Sequence, residues 1–170
     1  MAEADRAGAH RYLLSLGSNM RAAQIGGPRE VIGAAVAALE VETLRLLARS
    51  PILGSEPIGP SRRRYANAAV VVETAWGPPE LLDLLHRIER AFGRRRTGQR
   101  WRARPLDIDI VLWSGGIWVS EDLAIPHPHF RERAFVMRPA AQIAPHWHDP
   151  ISGLTLRQLE RRLARRASRQ

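Results

Sequence analysis

Two hydrophobic periods organise the chain. Arg11–Leu16 (RYLLSL) is a short apolar run stopping at Gly17-Ser18-Asn19, which predicts a strand entering a tight loop. Pro28 opens a segment to about Leu39 in which Val31, Ala35, Val36 and Leu39 recur at helical spacing. Thr43–Ile52 predicts a leucine-rich strand. Gly54–Arg64 predicts a loop broken by Pro57, Gly59 and Pro60, and Tyr65–Thr74 (YANAAVVVET) a strand of β-branched character. From Pro78 to Phe92 the apolar positions Leu81, Leu84, Leu85, Ile88 and Phe92 form one stripe, with Pro78 in the first turn and Gly93 able to cap the end. A basic loop, 93–105, leads into a strand at Leu106–Trp113, with Ile117–Val119 as its hairpin partner across Ser114-Gly115-Gly116. Helices are expected at Glu132–Gln142 and Thr155–Arg166.

The first six elements therefore run β-α-β-β-α-β, the ferredoxin-like order. The predicted fold is an α/β (α+β) ferredoxin-like core with a C-terminal hairpin and helical appendage, the appendage of about 60 residues being too short for a separate domain. Met1–His10 is expected to be disordered or extended, and residues 11–170 to form one domain.

Composition narrows the chemistry. Of 170 residues, 45% are apolar, enough for an ordinary single core. The longest apolar runs, such as Ala68–Val72 and Ile108–Trp113, are far too short to cross a bilayer, and the polar N-terminus lacks an apolar signal core. A cytoplasmic protein with no membrane partner is the expectation. All 26 cationic side chains are arginine, and there is neither lysine nor cysteine. Walker-type phosphate loops, protein-kinase ATP sites, Schiff-base and pyridoxal enzymes, thiol nucleophiles and Cys-ligated metals are all excluded. A net charge of +9 favours an anionic partner, and phosphate chemistry falls to Arg forks, carboxylate-bound metal, His and backbone N–H groups.

The sharpest feature is Leu106-Asp107-Ile108-Asp109-Ile110. On a strand, residues two apart share a face, so both carboxylates point the same way, roughly 6–7 Å apart at the backbone. Two like charges there repel unless a cation lies between them, and Mg²⁺ is held in this way by one or two carboxylates plus substrate phosphates. Two surface acids paired with nearby arginines are the plain alternative. Immediately upstream lie Arg94, Arg95, Arg96, Arg100, Arg102 and Arg104 with Trp101 among them, flanked by Gly93 and Gly98. An Arg loop beside a metal–carboxylate strand suits polyphosphate transfer, whereas a solvated or RNA-contacting loop is the competing reading. Pro126-His127-Pro128-His129 offers a His-x-His pair without a suitably spaced third zinc ligand, and His127 is more useful as a phosphate donor. Tyr65 and Asn67 share one strand face, where a flat heterocycle can stack on the ring and pair with the amide; core packing and edge capping explain them equally well. His146-x-His148 reads as a turn, and the six arginines of Arg157–Arg169 as a solvated helix face.

These residues resemble the 6-hydroxymethyl-7,8-dihydropterin pyrophosphokinase family. The matching stretches are LLSLGSN (13–19), IGP (58–60), YANAAVVVET (65–74), LLDLLHRIERAFGRRR (81–96), RWRARPLDIDIVLW (100–113), IPHP (125–128), RAFVMRPAAQIAP (133–145) and GLTLRQL (153–159). The resemblance implies transfer of the terminal diphosphate of ATP to the pterin's hydroxymethyl group, with release of AMP, in folate synthesis. It implies two Mg²⁺ ions on Asp107 and Asp109. It also implies triphosphate contacts from Arg94, Arg96, Arg104, His127 and Arg133, with Arg94 and Arg104 taking catalytic parts and Arg100 and Trp101 on a closing loop. Glu89 and the Ile110 backbone fall at the nucleoside, and Ile58, Tyr65, Asn67 and Phe135 at the pterin, with Tyr65 and Phe135 sandwiching its ring. The chain departs from the family pattern at Arg102, Ala103, Asp122, Ala124 and Pro128. The expected partners are these two small molecules, with no nucleic acid and a monomeric protein. A two-metal nucleotidyl transferase is one rival. A non-catalytic RNA-binding domain is another, although the aromatic signature of such domains is missing.

Overall fold

β1 (His10–Ser18) is the strand on which the rest is assembled. The computed structural model describes residues 8–40, 43–55, 65–93 and 105–169. In chain order, β1 is followed by α1 (Pro28–Leu39), β2 (Arg45–Arg49), β3 (Leu53–Ser55), β4 (Tyr65–Thr74), α2 (Pro78–Ala91) and β5 (Asp107–Trp113). Then come β6 (Trp118–Val119), β7 (Ala124–Ile125), a 3-10 turn at Phe130–Glu132, α3 (Ala134–Ile143) and α4 (Leu156–Ala167). The main sheet has the order β2-β4-β1-β5, with β3 also pairing along β4, and every pairing is antiparallel.

Both faces of this sheet are covered, which is why β1, β4 and β5 read as near-continuous apolar runs rather than alternating ones. On one face Tyr12, Leu14, Leu16, Val70, Ile108 and Ile110 pack with Val31, Ile32 and Ala35 of α1 and Leu81, Leu85 and Ile88 of α2. On the other, Leu13, Ala69, Val71 and Val111 pack with Val136, Met137 and Ala140 of α3 and Leu156 and Leu159 of α4. Full burial of each large side chain stabilises the fold by about 1.5–3 kcal/mol. Pro28 and Pro78 occupy the first turns of α1 and α2, where no intrahelical N–H is lost, and α4 starts with a reciprocal Thr155/Gln158 capping box.

Two expectations are corrected. The strand expected over Thr43–Ile52 is divided, and part of the expected loop is strand. Pro51 has no N–H for the ladder, and at this point Ser50 bonds to β4 instead. Its N–H donates to Ala69 O and its Oγ accepts from Ala69 N, both at 2.9 Å, before β3 resumes the pairing. The expected hairpin partner of β5 pairs elsewhere: β6 pairs with β7, and β5 keeps only an isolated Trp113–Gly116 bridge beyond its end. The Trp113 ring stacks on Tyr12 at 6.3 Å and lies over Gly115, where a Cβ would overlap the indole.

Candidate active site

The register of three strands builds the site floor. Leu13, Ala69, Val71 and Val111 face α3, so alternation places Ser15, Gly17, Tyr65, Asn67, Asp107 and Asp109 on that same face. Asp107 pairs across to Gly17 and Gly17 to Asn67, while Asp109 pairs to Ser15 and Ser15 to Ala69. Asn67 and Asp107 thus stand two interstrand spacings apart, about 9–10 Å, with only a glycine between them. Asn67 is buried, whereas Asp107 and Asp109 are half-buried. The face is apolar under α3 and turns polar towards the Gly17 end of β1.

His127 is attached to the outer edge of β5, its N–H donating to Val111 O at 3.0 Å. Its Nδ1 accepts the His129 N–H at 3.1 Å, so in the neutral ring the proton sits on Nε2. That Nε2 lies 3.8 Å from Asp109 Oδ2. Burial, then the neighbouring Arg133 and His129, hold His127 down to about 4 against a smaller upward pull from Asp107. At neutral pH it is an uncharged donor directed at the carboxylate site.

Arg133 is the N-cap residue of α3, with its guanidinium 5.9 Å from the Phe135 ring centroid. Phe135 packs at the margin of the α3-side core, and Pro139, inside α3, leaves the Phe135 carbonyl without its usual intrahelical donor. Glu89 is buried behind β5, its Oε1 accepting the Ile108 N–H at 2.8 Å between the two aspartates in sequence. Ile110 is buried in the opposite core, and alternation turns its backbone to the same edge of β5 as that of Ile108. The remaining candidates, Ile58, Arg94, Arg96, Arg100, Trp101 and Arg104, lie outside the described residues.

One supporting pair was missed from sequence. Asp149, with no solvent exposure, receives Arg131 Nε at 2.7 Å and Nη2 at 2.6 Å, together with the Ser152 hydroxyl and the N–H groups of Ile151 and Ser152. Burial pushes its carboxyl up, but the Arg131 fork, Ser152 and Ile151 outweigh that and bring it to about 2. The clamp ties the 3-10 turn between His127 and Arg133 to the 149–152 turn. The only local signal was the Asx-type geometry available at Asp149-Pro150.

Among the described residues no group of three or more His, Cys, Asp or Glu side chains could hold a metal by itself. Two carboxylates on one face instead fit a hard cation such as Mg²⁺, which takes few protein ligands and completes its shell with phosphate oxygens and water.

The model of the 7,8-dihydro-6-hydroxymethylpterin-pyrophosphokinase (HPPK) family matches residues 13–145. The chain belongs to the HPPK family. A 2-amino-4-hydroxy-6-hydroxymethyldihydropteridine pyrophosphokinase of Synechocystis is 40% identical over 126 residues, covering 74% of this chain and 62% of that protein. The enzyme of that name from Pseudomonas aeruginosa is 40% identical over 137 residues, covering 79% and 81%. In fold, the chain is similar to the crystal structure of Plasmodium falciparum HPPK-DHPS with pteroate: TM-score 0.71 and 14% identity, over 95% of this chain and 46% of that one. The match to HPPK structures fits the mixed α/β architecture with its antiparallel sheet. No helix among the described residues is long and apolar enough to cross a membrane.

Proposed function

We propose that this chain transfers the terminal diphosphate of ATP to the hydroxymethyl group of 6-hydroxymethyl-7,8-dihydropterin and releases AMP, the reaction for which its HPPK relatives are named. One observation carries the reading: Asp107 and Asp109 lie on the same sheet face as Asn67, across a floor left open by Gly17. The sheet order β2-β4-β1-β5 corresponds to a ferredoxin-like core once β3 is set aside as an extension along β4.

Asp107 and Asp109 would hold two Mg²⁺ ions, which supply charge neutralisation on the β- and γ-phosphate oxygens. The residues of the chain do the positioning. Asn67 pairs with the pterin edge, Tyr65 and Phe135 enclose the ring, and Ile58 adds a contact. His127 donates through Nε2 to the triphosphate and Arg133 provides a fork from the start of α3. Arg94, Arg96 and Arg104 neutralise the chain of phosphates, while Arg100 and Trp101 close over it. Glu89 and the Ile110 backbone hold the nucleoside along the outer edge of β5. The hydroxymethyl oxygen attacks the β-phosphorus in line. The bond from that phosphorus to the α–β bridging oxygen breaks, AMP leaves with that oxygen, and the hydroxyl proton is released. Orientation and electrostatics supply the acceleration, and no protein nucleophile is used. The protein acts as a cytoplasmic monomer on small molecules, residues 11–170 forming one domain.

Purified protein incubated with ATP, Mg²⁺ and the reduced hydroxymethylpterin should form AMP and pterin diphosphate in equal amounts. AMP no greater than in the pterin-free control would overturn the proposal.

A further inference from the structure

We infer that Ser15 is a positioning residue for Asp109, its hydroxyl donating to the Asp109 carboxylate when that carboxylate holds a divalent cation. The inference rests on the metal role proposed above and extends it to a residue on a different strand.

Leu14 and Leu16 belong to the α1–α2 core and Leu13 to the α3–α4 core, so alternation puts Ser15 on the site face. Ser15 is directly opposite Asp109 in the β1–β5 register, where facing Cβ atoms lie about 4.5–5.5 Å apart. Its neighbour on the other side is Ala69, which has no polar side chain, and both backbone groups of Ala69 are taken by Ser50. Ser15 is only 7% exposed. Asp109, directly opposite on β5, can provide the acceptor. A loaded carboxylate needs one oxygen aimed at the cation, and a donor held on a sheet strand fixes that orientation as outer-shell groups commonly do. His127 Nε2, at 3.8 Å from Asp109 Oδ2, approaches from the β5 edge, whereas Ser15 approaches from β1 within the sheet.

The test is Mn²⁺ binding followed by electron paramagnetic resonance in the presence of α,β-methylene-ATP, with thermal unfolding measured in parallel. Wild-type protein, Ser15→Ala and Ser15→Thr are compared. Ser15→Ala should bind Mn²⁺ on the order of 10–100-fold more weakly. Its unfolding temperature should be unchanged, because one oxygen is removed and no apolar packing is lost. Ser15→Thr should restore the affinity. Wild-type affinity in Ser15→Ala overturns this inference alone, as does equal weakening in both variants accompanied by lowered unfolding temperatures. If the wild type itself fails to bind Mn²⁺, the proposed function falls and this inference with it.

Discussion

Removing the carboxylate of Asp149 should loosen the segment between His127 and Arg133. In the native protein this group has no exposure and accepts from the Arg131 fork, the Ser152 hydroxyl and two backbone N–H groups. Breaking a buried ion pair by deleting one partner costs about 3–5 kcal/mol. The lower end applies here, because the Arg131 side chain retains 26% exposure and can partly rehydrate. Ile151 and Ser152 are also exposed, so their N–H groups can turn to water. Asp149→Ala should therefore lose about 3 kcal/mol in urea unfolding, and about 6–12 °C in unfolding temperature for a chain of this size. Asp149→Asn keeps one acceptor and should fall between the two. The pH dependence follows from the depressed carboxyl. Stability tied to Asp149 is complete above the ordinary carboxylate value of 3.8 and is lost as pH falls through about 2. That shift corresponds to about 2 kcal/mol, and Asp149→Asn should flatten the acid limb by a similar amount. A loss below about 1 kcal/mol in Asp149→Ala, the level of an exposed pair, would refute the clamp.

Three further outcomes are expected. Gly17→Ala should leave stability nearly unchanged, since its Cβ would meet Asn67 Oδ1 at an ordinary 3.5 Å. It should nevertheless reduce kcat/KM for the pterin on the order of tenfold or more, because the methyl intrudes on the floor between Asn67 and Asp107; wild-type kinetics would contradict this. In metal-free protein, NMR titration of the His127 ring should show it neutral until about pH 4. Unfolded His127 takes a proton near 6.5 and folded His127 does not, so stability is lost as pH falls from about 6.5 to 4, and a ring titrating near 6.5 would remove the basis for this slope. Glu89→Ala should cost about 1–3 kcal/mol in urea unfolding by stranding the Ile108 N–H, while Glu89→Gln, which keeps the acceptor, should cost less; equal losses would contradict that role.

The strands that carry the site were legible because their residues leave little choice. Tyr65–Thr74 and Asp107–Trp113 are buried on both faces, so β-branched and apolar residues run almost unbroken, and the Asp-x-Asp spacing fixes a shared face. What escaped depends on tertiary pairing. β3 is three residues long with a glycine in the middle, and backbone pairing to β4 defines it better than any side-chain pattern. β6 and β7 are two residues each, too short for any periodicity to announce their pairing. Arg131 and Asp149 sit 18 positions apart in polar-looking turns and meet only because the 3-10 turn packs beside the 149–152 turn. Ser15 looked like one polar residue in an apolar run until the β1–β5 register set it opposite Asp109. The Arg-rich stretch 94–104 and Ile58 lie outside the described residues, and their assignments rest on family resemblance and charge.

The central claim is that Asp107 and Asp109 together hold the cation that makes diphosphate transfer possible. Its most direct test is pterin-dependent AMP formation by Asp107→Asn and Asp109→Asn under saturating ATP and Mg²⁺, alongside circular dichroism. Both variants should keep the wild-type fold, since each substitution relieves repulsion between two half-buried carboxylates, and both should lose at least about 10³-fold in turnover as transition-state charge goes unneutralised. AMP formation within about tenfold of wild type in either correctly folded variant would contradict the account.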